Sequence, residues 1–297
     1  MPINHSFSIT MCNFKLVAKL ALFICIIIII AIALLLGIIG PVLRGYISEL
    51  QEDFPLKPES VVEHPLQSLK TLIVFFGNYI SSHTYFVTIR IVYLFLLAMG
   101  LRFFAQLSML PLAKILHSKM TTGFDMGFLN AFISTIGENV LYSFISSVIY
   151  TVLDGLICIA TVYLAVWATQ TFGILGITVS IFIAIELITL RTTLFCQWLP
   201  EIVKSKKRNI FPALISSIKP MAGHFRKNFI CMTVINVMFF GLCMTTALPT
   251  IGLIPILALP TYMVLYTALA QALNFSYFQQ KYFIDNGSTI YEPTKKF

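Results

Sequence analysis

The chain has 297 residues, of which 58% are hydrophobic and only 11% charged, with a formal net charge of +8 and a mean hydropathy of +0.89. Soluble domains carry about 25% charged residues, so this composition excludes them and defines an integral membrane protein. The basic excess does not point to nucleic acid: its residues sit beside apolar spans, as in KSKKR at Lys204 to Arg208, without a groove-reading or base-stacking motif.

The first predicted element is the run LALFICIIIIIAIALLLGII, Leu20 to Ile39. At about 1.5 Å per residue it crosses a hydrocarbon layer of about 30 Å. It exceeds the apolar core of a cleaved signal peptide, about 7 to 15 residues, and Gly40-Pro41 stands where a small-x-small site belongs. It therefore reads as an uncleaved first span. An outer loop, 41–84, follows, with Glu49, Glu52, Asp53, Glu59 and Glu63 set against Arg44, Lys57 and Lys70. Pro55, Pro58 and Pro65 argue against a long helix through its middle. Leu66, Leu69, Ile73, Phe76 and Ile80 recur at helical spacing, so that segment either lies on the outer surface or extends the next span.

Five further spans are expected at about Tyr85 to Ser108, Leu141 to Ala168, Ile174 to Trp198, Phe229 to Ala247 and Ile251 to Phe275. Six spans place both termini on one side. Fourteen of the twenty basic residues fall in the N-terminal tail, the loops after spans two and four, and the C-terminal tail, which predicts N-in and C-in. Pro255 and Pro260, with Gly252, mark either a kink in the last span or a broken helix of the transporter kind.

Two segments share one frame: LRFFAQLSMLP, Leu101 to Pro111, and LRTTLFCQWLP, Leu190 to Pro200, each placing an arginine nine residues before a proline. With Trp198 in the interfacial aromatic belt, Arg191 lies about 10 Å deeper and Glu186 about 18 Å deeper, and the proline ends the helix. An amphipathic segment follows each proline. GFDMGFLNAFISTIGENV places Phe124, Phe128, Leu129, Phe132, Ile133, Ile136 and Val140 on one helical face, and IFPALISSI is its counterpart. Ala131 to Ile136 matches Ala213 to Ile218 at an offset of 82 residues. The expected architecture is an all-α polytopic membrane protein of about six transmembrane helices in three helix pairs, with interfacial amphipathic helices. It forms a single membrane domain over 1–297, in repeat units 1–115, 116–206 and 207–297.

The order LRTTLFCQWLP, a basic stretch, ALISS, a second basic segment HFRKN and a closing span pair ending in YFQQKYF resembles the multi-pass membrane domain attached to some bacterial glycerophosphodiester phosphodiesterases, and related membrane domains of unknown function. The resemblance covers about residues 100–290. It implies a helical domain of the bacterial inner membrane and carries over no activity and no functional residue, because no phosphodiesterase catalytic domain is present and the outer loop departs from the pattern.

Charges inside spans carry the functional expectations, since an ionised group near the midplane costs about 2.5 to 3.5 kcal/mol on insertion scales. Asp154 and Glu186 lie sixteen residues before and after Gln170, at matching depth in neighbouring spans. They are candidates for proton or solute coupling; alternatively they are hydrogen-bonding glue, or partners of Arg90, Arg102 or Arg191. Arg102 and Arg191 either snorkel to lipid headgroups, form ion pairs or bind substrate. Lys204, Lys206, Lys207 and Arg208 are candidates for anionic lipid.

No enzyme is expected: His5, His64, His83, His117 and His224 form no close ligand pair, and nucleophile-elbow, P-loop and dinucleotide motifs are missing. No cofactor or metal is expected. Cys25, Cys158, Cys196, Cys231 and Cys243, in or at the edges of spans, read as packing residues, Cys12 lies on the cytoplasmic side, and there is no disulfide framework. These observations favour an inner-membrane accessory, scaffold or envelope-homeostasis protein, with a small solute or ion transporter as the alternative. Its expected partners are membrane lipids and a protein bound through the outer loop or the cytoplasmic amphipathic segments.

Overall fold

The computed structural model describes residues 2–34, 71, 84–205, 209–246, 249–250, 252–285 and 289–292. Most of the outer loop, the end of the first expected span, and Lys206, Lys207 and Arg208 lie outside the described residues. The chain is an all-α multi-pass membrane protein. The helices with described bounds are α1 (Pro2–Cys12), α2 (Phe14–Leu34), α3 (Thr84–Gln106), α4 (Met109–Thr122), α5 (Phe128–Ile133), α6 (Ile136–Phe172), α7 (Ile174–Phe195), α8 (Trp198–Lys204), α9 (Ile210–Gly223), α10 (Phe225–Thr246) and α11 (Leu253–Tyr277). Five helical segments among the described residues are long and apolar enough to cross a membrane, and a sixth is added if α1 and α2, bent by 76°, count as one span. Backbone polar groups must be satisfied within each segment in hydrocarbon, which is why these apolar runs are helices.

The two arginine–proline segments break alike. Helix α3 stops at Gln106 and α7 at Phe195, and the two residues after each form a turn. Pro111 and Pro200 are then the third residues of α4 and α8. The proline therefore opens the second helix instead of ending the first. Its missing N–H falls in a first turn, where backbone donors have no intrahelical partner.

The packed core lies at the end of the molecule where these breaks occur. Leu20, Leu116, Met120, Tyr142, Trp198 and Ile202 are fully enclosed there, between α2, α4, α6, α8 and the last half of α11. Trp198 is thus a core residue and does not sit in an exposed aromatic belt. Its ring stands edge-on to Tyr142 at 5.0 Å, and its Nε1 donates to the Ile210 carbonyl at 3.1 Å. At the opposite end Trp167, Phe172, Leu175, Met244 and Leu253 are exposed, as side chains in contact with hydrocarbon would be.

The segment expected to form one amphipathic helix over Gly123 to Val140 is interrupted. Residues 123–127 are non-helical and a turn at Ser134-Thr135 separates α5 from α6. The Ser134 and Thr135 hydroxyls both donate to the Ala131 carbonyl, offering the backbone an alternative to continued helix. In α9 the large apolar residues Phe211, Ile215 and Ile218 face outward, while Ala213, Ser217 and Pro220 are buried.

Glycine sets the α6–α7 hairpin. Gly173 adopts φ 61° and ψ −135°, a region essentially closed to other residues. At Gly176 a Cβ would collide with the Ala168 carbonyl and lie 2.6 Å from the Thr169 nitrogen. Backbone cannot give way as a side chain can, so Gly176→Ala should destabilise the protein by about 1–3 kcal/mol. Gly241→Ala, at a position with nothing within 4 Å, is the control and should be neutral in the same thermal unfolding measurement.

Residues near the two ends of the described chain meet. A short hairpin pairs β1 (Tyr282–Phe283) with β2 (Ile290–Tyr291), and the Tyr282 hydroxyl lies 2.7 Å from His5 Nδ1. Tyr282 is buried beneath Phe275, and that burial pushes its phenol above the usual tyrosine range.

Candidate functional site

Three spans converge on Asp154. It stands at the middle of α6, and each of its carboxylate oxygens accepts from a different arginine: Oδ2 from Arg102 Nη2 on α3, and Oδ1 from Arg191 Nη1 on α7. The convergence follows from the local folds. Gly173 turns α7 back along α6, and α3 packs against α6 beside it, so the two arginines, each four residues before its helix ends, reach one carboxylate from two sides. The Arg191 guanidinium also lies over the Tyr150 ring, 5.2 Å from its centroid.

The clamp is incompletely neutralised. Two guanidiniums and one carboxylate sum to one positive charge. Arg102 Nη1, Arg191 Nε, Gln106 Oε1, Thr151 Oγ1 and Thr193 Oγ1 are buried with no hydrogen-bond partner among the described residues. The Asp154 and Arg102 side chains are each 29% exposed and that of Arg191 is 17% exposed, so the cluster lies at the edge of the helix packing, not sealed within it.

Glu186 is elsewhere. It is exposed on α7, in a stripe with Leu175, Val179, Phe182, Leu190 and Leu194, and it makes no hydrogen bond or ion pair with a described residue. Matching depth in sequence did not translate into contact, because the two acids point to different sides of the α6–α7 pair. Arg102 and Arg191 turn to Asp154 instead of snorkelling outward. Lys204 lies 3.1 Å from the centroid of the Phe278 ring.

A second polar system was not visible in the sequence. Asn274 on α11 donates to Gln197 Oε1 at 3.0 Å and to Glu201 Oε1 at 2.9 Å, and Glu201 Oε2 accepts from Ser216. Nearby, Asn236 on α10 donates to Thr189 and Thr192 of α7 and accepts from the Tyr262 hydroxyl of α11. The 82-residue offset between the amphipathic segments carries Asp154 onto Asn236, and each residue is the polar hub of its own three-helix contact. No group of three His, Cys, Asp or Glu side chains able to hold a metal ion occurs among the described residues.

No protein family, curated protein or solved structure matches the chain. Its class is defined by its own fold and site: a multi-pass helical membrane protein with an ion-paired polar centre.

Proposed function

We propose that the chain is a non-enzymatic scaffold or accessory component of the bacterial inner membrane. The observation that carries this reading is the clamp on Asp154: both carboxylate oxygens are engaged by arginines from two other spans, an arrangement suited to holding three helices together. The outward-facing apolar side of α9 and the outer loop, 41–84, are the surfaces assigned to partners. The shared break geometry at Gln106 and Phe195 supports a common plan for the first two of the three repeat units, and the order of segments from LRTTLFCQWLP to YFQQKYF supports kinship with the phosphodiesterase-associated membrane domains.

Both termini are assigned to the cytoplasm from the distribution of basic residues. A reporter fused near Glu59 should be active only outside the cytoplasm, and a cytoplasmic signal there overturns the orientation. One observation favours the alternative, a small solute or ion transporter: Glu186 is a membrane-embedded acid without a described partner. Native mass spectrometry of protein gently extracted from its own membrane separates the two. A stoichiometric protein partner is the expected result; a retained solute with no partner chain would make the transporter reading primary.

A further inference from the structure

A cleft of about 1080 Å³ lies outside the Asp154 clamp, where the end of α9, the start of α10 and the end of α11 meet Pro2 and Tyr291. His224, Arg226, Lys227, Ser276, Tyr277 and Gln279 supply its polar lining, and no acidic residue lines it among the described residues. Lys227 Nζ donates to Ser276 Oγ at 2.7 Å, which holds the ammonium in place without neutralising it. Arg226 is exposed, and neither it nor Lys227 has an acidic partner among the described residues. The position is as informative as the charge. Phe225 to Lys227 form the first turn of a membrane span, the level at which hydrocarbon gives way to headgroups. Below them Ile230, Val234 and Val237 are exposed and continue the cleft wall as an apolar surface along α10.

We propose that this cleft binds a phosphate-bearing anion, and that its source is the headgroup of an anionic glycerophospholipid whose chains lie along the outer face of α10. A cationic pocket opening onto an apolar wall matches both parts of such an amphiphile. A soluble phosphate compound would use only the first. Lys204 does not line the site, and the inference goes beyond the scaffold reading, standing whether that reading holds or fails.

The test is native mass spectrometry of the full chain released from nanodiscs of phosphatidylcholine containing one-fifth phosphatidylglycerol. Wild type should retain phosphatidylglycerol selectively. Removing each basic residue should weaken retention about fivefold, so Arg226→Gln/Lys227→Gln should weaken it about 25-fold. Lys15→Gln/Lys19→Gln, which removes the same charge from exposed positions on α2, should retain it within twofold. Arg226→Gln alone keeps the test valid if the double variant misfolds, because that side chain is exposed. Equal retention by wild type and the Arg226 variants, or an equal loss in the control, overturns the site. Thermal stabilisation of delipidated protein by inorganic phosphate, lost in Arg226→Gln and unaccompanied by lipid selectivity, overturns the lipid source while keeping the phosphate chemistry.

Discussion

Asp154→Ala should lower the stability of the protein by about 3 kcal/mol, at the lower end of what removing one member of a buried ion pair costs. Two effects combine. The variant leaves the Arg102 and Arg191 guanidiniums facing one another without the carboxylate that now lies between them, and it strands donors that already include unpartnered nitrogens. Partial exposure of all three side chains limits the loss, since water or headgroups relieve part of the stranded charge. Asp154→Asn should behave nearly as badly, because charge matters more here than shape. The triple replacement Arg102→Met/Asp154→Leu/Arg191→Met removes every charge together and should recover at least half of the loss. Thermal unfolding in one detergent compares all four proteins. A triple variant no better than Asp154→Ala would mean that uncompensated charge is not the cause. Arg191→Lys should not be benign, as an ammonium lacks the planar surface that Arg191 lays over Tyr150.

Trp198→Ala should cost about 4 kcal/mol, the largest effect expected from a single apolar truncation here. Its ring is completely enclosed, packs on Tyr142 and Phe195, and ties the first residue of α9 to α8 through the Ile210 carbonyl. Trp198→Phe keeps most of the packing and loses the hydrogen bond, so its cost should be about 1–2 kcal/mol. Limited proteolysis between α8 and α9 reports the same tether: cleavage there should accelerate in both variants, more in the alanine. A Trp198→Ala protein as stable as wild type would remove the residue from the core.

The span boundaries were legible because hydropathy in lipid is a local property: Thr84–Gln106, Ile136–Phe172 and Ile174–Phe195 begin or end within a few residues of the apolar runs that announced them. What lay across the helices was not. Sequence supplies depth along a span, which set Asp154 level with Glu186 and left Arg90, Arg102 and Arg191 as alternative partners; azimuth around the helix decided for Arg102 and Arg191. Lipid-facing and protein-facing positions are both apolar in a membrane, so periodicity does not say which face turns inward. Helix α9 shows the consequence, burying Ser217 while Ile215 is exposed. Trp198 misled for a related reason: an indole at the end of an apolar run marks an interface when it faces outward, and a packing centre when it faces in.

Helix α6 runs unbroken for 37 residues, about 55 Å at the rise of an α-helix, against a hydrocarbon thickness of about 30 Å. It therefore outreaches the bilayer, with its first turns in the packed core and the hairpin glycines at its far end. At that length a change of about 10° in its tilt about Ile136 corresponds to about 10 Å at the Gly173 turn, so the packing of its first turns fixes where the far hairpin stands.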